Sequence, residues 1–199
     1  MSDRRDLWRS RYRSVESFPA PPGVLLCNQD LLPTRGAALD LACGLGSGAL
    51  WLADRGLDTW AWDWAEPAIA TLTQRAAAQG LALRAEVRDL VAVPPEPGRF
   101  DLILISRFLH RALIPAIAAA LRPGGWLLHQ TFTATAPADR RPASPSHVLQ
   151  PGELIELWVP PLEGVRHHEP TTASKGHATE SEAWLLAQRP EGTSTKSSD

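Results

Sequence analysis

The chain has 199 residues, 20 Lys and Arg against 22 Asp and Glu, a net charge of -2 and 44% hydrophobic residues. That length suits one ordinary domain with a full core, and the near-neutral charge excludes a global field that would draw nucleic acid or an anionic membrane. Two cysteines, Cys27 and Cys43, make no disulfide framework, the charged start MSDRRDLWRSRYR lacks the apolar core of a secretion signal, and no run approaches the roughly 18 apolar residues of a membrane span, so a cytoplasmic protein is expected.

Taken in order, Asp6 to Arg13 is expected to form a short basic helix with Trp8 and Tyr12 on one face, read as a docking helix or, more sharply, a lid over a ligand. After the break SFPAPPG, helical periodicity runs from Val24 to Leu32 and stops at Pro33. Ala37 to Leu41 reads as a first strand, followed by a glycine loop and a helix. Asp58 to Trp64 is a second strand with Trp60, Trp62 and Trp64 at period two, hence on one face and expected in the core. Pro67 then suits the first turn of a helix reaching about Gly80. Leu81 to Val87 is a third strand, Pro94 to Gly98 a loop, and Phe100 to Ser106 (FDLILIS) a strand buried on both faces. A helix is expected from about Leu109 to Leu121, a turn at Arg122-Pro123-Gly124-Gly125, and a strand from Trp126 to Phe132.

Strands alternating with helices at this spacing predict right-handed crossovers. The expected fold is α/β, a Rossmann-like doubly wound sheet of about seven mostly parallel strands with helices on both faces. Thr133 to Gln150 has no periodicity and reads as a long loop near the strand ends. A short helix from Pro151 to Trp158 and strands at Gly164 to Glu169 and Glu182 to Gln188 follow, and the tail EGTSTKSSD is expected to be disordered. The expected layout is a single domain over 1–189, made of a helical cap (1–35), a cofactor-binding core (36–132) and a substrate loop with final strands (133–189), ahead of a tail at 190–199.

The chemistry concentrates in Asp40-Leu-Ala-Cys-Gly44-Leu-Gly46-Ser-Gly48. Glycines between a strand and a helix permit close approach of a ligand to the free N–H groups of the helix start. As a bare pattern, Gly44-x-Gly46-x-x-Ala49 also satisfies a dinucleotide fingerprint, with Asp63 about where its ribose-binding acid stands. The surroundings select among ligands: Asp40 precedes the glycines, Asp89 follows the third strand, and Pro123-Gly124-Gly125 precedes the fifth. With these residues the chain, from about Ala37 through Phe132, resembles the class I S-adenosylmethionine-dependent methyltransferases. The phrases DLACGLG, RFDLILISRFLH, LRPGGWLLHQTF and LQPGEL resemble the small tellurite-resistance and thiopurine-type members.

The resemblance implies S-adenosylmethionine as cofactor, with Asp40 and the backbone of Ala42, Cys43, Gly44 and Gly46 at the methionyl end. It also implies Asp63 at the ribose diol and Asp89 with Leu90 at the adenine, with Trp64 and Ser106 in the same site. Each assignment has a physical sense. A carboxylate accepts two hydroxyl hydrogen bonds from a vicinal diol, and Asp40 attracts the ammonium and sulfonium charges. One departure stands out, because Ala42 occupies the first glycine position of the acid-x-Gly-x-Gly pattern.

Methyl transfer from a sulfonium needs a positioned nucleophile, and a base only where the acceptor is protonated. The segment Ser106-Arg107-Phe108-Leu109-His110-Arg111 follows the fourth strand, where ligands of open α/β sheets bind. His110 is the candidate base there, read as lying in the first turn of a helix, and Arg107 or Arg111 the candidate for an anionic acceptor. His129 reads as a core or hydrogen-bonded residue, and Gln130, Thr131 and Thr133 as possible lining of the acceptor pocket. His167, His168 and His177 do not share a face, so no metal is expected. The motif Asn/Asp-Pro-Pro-Tyr/Phe of base and glutamine N-methyltransferases is absent.

The expected function is methyl transfer to a small molecule such as a thiol, chalcogen compound or other small metabolite, by a monomer or homodimer that binds no membrane, with nucleic acid kept as a secondary partner. The alternatives are an RNA or protein methyltransferase, motivated by the basic start and Arg140-Arg141, and an NAD(P)-dependent oxidoreductase or a non-catalytic cofactor-binding protein.

Overall fold

Strands too apolar on both faces to meet water must be covered on both sides, and the central runs of this chain form one such sheet. The computed structural model describes Ser10, Tyr12 and residues 18–170 and 182–191. Its strands are β1 (Ala37–Leu41), β2 (Asp58–Asp63), β3 (Leu83–Val87), β4 (Phe100–Ser106), β5 (Leu121–Phe132), β6 (Glu163–His168) and β7 (Glu182–Gln188). The helices are α1 (Gly23–Asn28), α2 (Ser47–Asp54), α3 (Glu66–Ala78), α4 (Ile114–Ala120) and α5 (Glu153–Trp158). The sheet order is β3-β2-β1-β4-β5-β7-β6, with β1 to β5 parallel to one another and β7 antiparallel to both β5 and β6. The expected Rossmann-like sheet of seven mostly parallel strands is therefore present. Because β1 has β2 on one side and β4 on the other, the chain reverses its direction of winding there, and the carboxyl ends of β1 and β4 flank a crevice.

Alternation along the strands divides the core. Ala38, Leu102, Leu104 and Leu128 pack with Val24 and Leu25 of α1 and Leu52 of α2. Leu39, Leu41, Ile103 and Ile105 pack with Ile114 and Ile117 of α4 and Leu154 and Trp158 of α5. Ala61 of β2 meets Leu50 of α2 and Leu72 and Ala76 of α3. Each fully buried leucine or isoleucine contributes about 1.5–3 kcal/mol by leaving water.

The link between β3 and β4 carries no helix, and the sheet face beneath it is covered in another way. Trp60 and Trp62 each meet Phe100 edge-on, with centroids 5.7 and 5.6 Å apart. Arg88 lies 3.8 Å above the Trp62 ring and Arg84 4.4 Å above that of Trp60, while Glu96 accepts hydrogen bonds from both Arg88 and Arg99. Guanidinium planes thus take the place of a helix, since they stack on indoles while keeping part of their surface in water. Trp62 is fully buried as expected, whereas Trp60 and Trp64 are only half-buried.

Several boundaries differ from expectation. The first helix ends at Asn28 rather than Leu32. The strand β5 begins at Leu121 because Arg122 to Gly125 bulge out of the ladder between the pairs Phe100–Leu121 and Leu102–Trp126, which accommodates Pro123. The helix expected over Leu109 to Leu121 splits into a 3₁₀ turn, Arg111–Leu113, and α4, which starts just before Pro115. The expected helix over Asp6 to Arg13, apart from Ser10 and Tyr12, lies outside the described residues, as do His177 and the tail beyond residue 191. Among the described residues no helix is long and apolar enough to cross a membrane.

His129 is a buried, hydrogen-bonded residue as expected. Its Nδ1 accepts the indole N–H of Trp158 at 2.9 Å, so Nε2 carries the proton and donates to the Phe108 carbonyl at 2.9 Å. This neutral tautomer ties α5 to the loop after β4. Burial pushes the imidazole from 6.5 down to about 4, against the opposing Phe108 bond. Between those values the unfolded chain takes up a proton and the native chain does not, so His129 lowers stability as pH falls through this window. In urea melts the loss of stability from pH 7 to 4.5 is expected to be smaller for His129→Gln than for wild type, by on the order of 2 kcal/mol. Other buried groups titrate alike in both proteins and cancel in the comparison.

Candidate functional site

At the carboxyl end of β1 the chain turns at once into the glycine loop. Ala42, Gly44 and Gly46 take φ values of 57°, 53° and 77°, the left-handed region that glycine adopts freely. At Gly46 space matters as well, because a Cβ there would lie 2.5 Å from the methyls of Leu72 on α3. The Cys43 N–H donates to the Trp62 carbonyl at 3.0 Å and the Gly46 N–H to the Cys43 carbonyl at 2.9 Å, so the loop is closed against β2 immediately before α2 begins.

Two buried carboxylates hold this loop. Asp63, the last residue of β2, accepts the Gly44 N–H on Oδ2 and the Ala65 N–H on Oδ1, each at 2.8 Å. Asp40 reaches beneath α2, where its Oδ2 accepts the Ala49 N–H at 2.8 Å. Burial raises both acids against the pull of these bonds: Asp40, also repelled by Asp63, rises from 3.8 to about 7, and Asp63 rises from its ordinary value. Burial, then the charges of Asp40 and Asp63, also pushes the Cys43 thiol up, so it stays protonated and is no nucleophile.

Around the loop, Tyr12, Phe18 and Trp64 pack about Leu45, Ala65 and Ala68. A Cβ on Gly44 would stand 2.7 Å from the Tyr12 hydroxyl, so Tyr12 lies directly over the loop. Asp89, after β3, accepts the N–H groups of Val91 and Ala92 at 3.1 and 3.3 Å, which makes it the cap of a turn. The side chain of Leu90 is buried in the core, which leaves its backbone as the part that can face a ligand.

Across the crevice, β4 ends at the half-buried Ser106. Arg107 follows with φ 56°, its N–H donating to the Gln130 carbonyl at 2.7 Å. His110 is extended, with φ -141° and ψ 95°, and stands ahead of the 3₁₀ turn. Its expected place in the first turn of a helix is therefore wrong, because the segment before Pro115 does not sustain an α-helix. The His110 Nδ1 is buried and has no hydrogen-bond partner among the described residues. Arg111, the other arginine considered for an anionic acceptor, is consumed. It donates to Glu153 through Nε and Nη2 and to the carbonyls of Ser146 and Val148.

Of the proposed acceptor lining, Gln130 is tied to the Val24 N–H through Oε1 and to Glu182 through Nε2. Thr133 shares a hydrogen bond with Thr135, and the buried Thr131 Oγ1 has no partner among the described residues. Glu182 is not among the residues the sequence points to, whereas Tyr12 enters there only as part of the expected docking helix or lid. The acid that opens the otherwise apolar strand EAWLLAQ was the available signal for Glu182.

The residues present fit a cationic nucleoside. Burial raises the Asp40 carboxyl to about 7, so a positive group nearby would favour its ionised form, and Asp63 retains lone pairs beyond its bonds to Gly44 and Ala65, enough for a diol. An acid beneath the turn also disfavours a pyrophosphate.

Comparison with known proteins agrees. Residues 38–125 match the family model described as a methyltransferase domain. The chain is 36% identical over 97 residues to Hemagglutinin 1 of Eikenella corrodens, a match covering 45% of this chain. It spans about a third of that relative, 32% of its length. Among solved structures it is similar to one described by the conversion of a disulfide bond into a thioacetal group during echinomycin biosynthesis. The TM-score there is 0.72 at 25% identity, over 96% of this chain and 95% of the other. It shares its fold with TehB from Haemophilus influenzae, with a TM-score of 0.66 and 21% identity over 93% of this chain and 66% of that one.

The left-handed backbone at Ala42 carries a cost, since a Cβ in that region is disfavoured by roughly 1–2 kcal/mol, partly offset by the greater freedom glycine loses on folding. Ala42→Gly is accordingly expected to stabilise the protein by about 0.5–1 kcal/mol in urea melts. Equal or lower stability would show that the strain is relieved elsewhere.

Proposed function

We propose that this chain, a class I S-adenosylmethionine-dependent methyltransferase by its domain and fold, methylates a small-molecule acceptor in the crevice between β1 and β4. The single observation that carries the reading is the pair of buried acids gripping the glycine loop and the helix start at the reversal point of the sheet, beside a loop after β4 in which the His110 Nδ1 has no partner among the described residues. When bound, the cofactor supplies a methyl group on a sulfonium.

The residues divide the remaining work. Asp63 accepts the ribose hydroxyls with its spare lone pairs, while its backbone bonds keep the carboxylate from turning away. Asp40 balances the positive charge of the methionyl end from beneath the backbone of Ala42 to Gly46, at short range in a water-poor crevice. Asp89, with the backbone of Leu90, meets the adenine, and Trp64 and Ser106 border it. Tyr12 closes over the loop and excludes water.

On the acceptor side His110 takes the proton of the nucleophile. The unpartnered Nδ1 supports this, because a buried polar atom left unbonded costs about 1–3 kcal/mol unless a ligand uses it. Holding the acceptor in line can contribute roughly 7–11 kcal/mol without further chemistry. A small acceptor suits a site built from the ends of adjacent strands of one sheet.

Calorimetry tests the cofactor assignment. Binding of S-adenosylmethionine and of its demethylated product is expected, with no binding of NAD(H) or NADP(H), and the reverse pattern overturns the reading. Because a cation favours the ionised form of Asp40, binding should release a proton near neutral pH and weaken as pH falls below about 7, where Asp40 is protonated in the free protein.

For His110→Ala, turnover of an acceptor that must lose a proton is expected to fall by about 10²–10⁴-fold. An acceptor already present as a thiolate should lose much less. Equal retention for both would remove His110 from the chemistry.

A further inference from the structure

We propose that the acceptor carries a carboxylate or an equivalent anionic group, gripped by Arg107, with Glu182 as the positioning residue that aims the guanidinium. The inference rests on the methyl-transfer reading of the crevice and specifies its substrate class.

Arg107 is an unusual residue for its position. It follows directly on β4 at the crevice, and it and Ala42 are the two non-glycine residues with left-handed φ among those described. They stand on facing sides of the gap, because Leu41 and Ile105 pair across the two strands. A bulky side chain in that region costs about 1–3 kcal/mol and persists where the surroundings impose it. Here the imposed conformation carries the arginine to Glu182, and its Nε donates to Glu182 Oε1 at 2.6 Å.

Glu182 is built in rather than merely available. It opens β7 opposite Phe132 and its side chain is 2% exposed, while that of Arg107 is 54% exposed. Its second oxygen accepts the Gln130 amide, whose own carbonyl takes the Val24 N–H at 2.7 Å. The chain of bonds therefore runs from the start of α1 through Gln130 and Glu182 to Arg107, fixing each member. A buried carboxylate is costly, and one exposed ion pair would not justify it.

The pairing uses the Nε side of the guanidinium. Among the described residues no hydrogen bond is recorded for Nη1 or Nη2, which form a planar fork suited to two oxygens of one anion. The Phe132 ring lies 5.7 Å from the guanidinium carbon and supports it from beneath. The contrast with Arg111 is informative, since that arginine spends its donors on Glu153 and two backbone carbonyls.

The test uses paired probes that differ only in charge: mercaptoacetate with mercaptoacetamide, and 2-mercaptobenzoate with its amide. Their binding is measured by calorimetry on the full chain, with and without the demethylated cofactor. At least one carboxylate is expected to bind at least tenfold more tightly than its amide, and Arg107→Gln should abolish that preference. Arg107→Lys, which keeps the charge beside Glu182 and so guards against misfolding, should recover only part of it because an ammonium lacks the planar fork. Glu182→Gln is expected to weaken the carboxylate several-fold, with no further effect when Arg107 is already Gln. A purely structural role would not produce that non-additivity.

Cofactor affinity should stay within about twofold in all the variants. A tenfold loss would assign the guanidinium to the methionyl carboxylate of the cofactor and overturn the proposal. Failure of every carboxylate to bind, or a preference that survives Arg107→Gln, would overturn it too. A wild-type protein that binds the carboxylates but no S-adenosylmethionine would instead sink the methyl-transfer reading alone.

Discussion

The hydrogen bonds that Asp63 accepts from Gly44 and Ala65 are the constraint on which the rest of the crevice depends. They join the end of β2 to the glycine loop after β1 and at the same time hold the N–H of the residue before α3. Two strands, a loop and a helix start are thereby fixed by one side chain. The left-handed turn at Gly44 leaves its N–H pointing toward β2, where only an acceptor without a proton of its own at that oxygen can meet it. Asp40 does the corresponding work beneath α2 through Ala49. Both acids therefore shape the loop before any ligand arrives. Structural and ligand-binding roles coincide here, because a carboxylate has more lone pairs than the backbone uses.

The opposite side of the crevice follows a different logic. The loop after β4 is held by partners drawn from far along the chain: Gln130 and Glu182 for Arg107, Trp158 through His129 for the Phe108 carbonyl, and Glu153 for Arg111. These contacts join β4 to β5, β7 and α5. The His110 Nδ1 stands amid this scaffold without a hydrogen-bond partner among the described residues. Rigid neighbours around one unsatisfied group are what a site that must meet an incoming nucleophile requires, since a mobile imidazole would find water or a carbonyl instead.

Much of this was legible in the residues. The strands β1, β4 and β7 fell where the apolar runs put them, because a strand buried on both faces leaves a continuous signal that side-chain chemistry does not interrupt. The glycine loop, Asp40 and Asp63 were visible for a similar reason, as their spacing is local. The loop after β4 was not. A helical pattern from Leu109 onward missed that Pro115 cannot continue a turn begun so early, and that Arg111 is held instead by Glu153. Glu182 acts on a residue 75 positions away. Such separation leaves no trace in periodicity. The arginines over Trp60 and Trp62 were equally hidden, since the indoles announced a core but not what would cover it.

Desolvation links the two sides chemically. In the same crevice it raises Asp40 and keeps the Cys43 thiol protonated, so the loop demands positive charge yet offers no nucleophile that could compete for a methyl group. Asp40 and Asp63 both disfavour a further negative charge on the thiol beside them. The proposed anion site lies instead on the far side of the gap, where Arg107 is aimed by Glu182. Charge separates the crevice into a cation-seeking half on β1 and β2 and an anion-seeking half on β4 and β7.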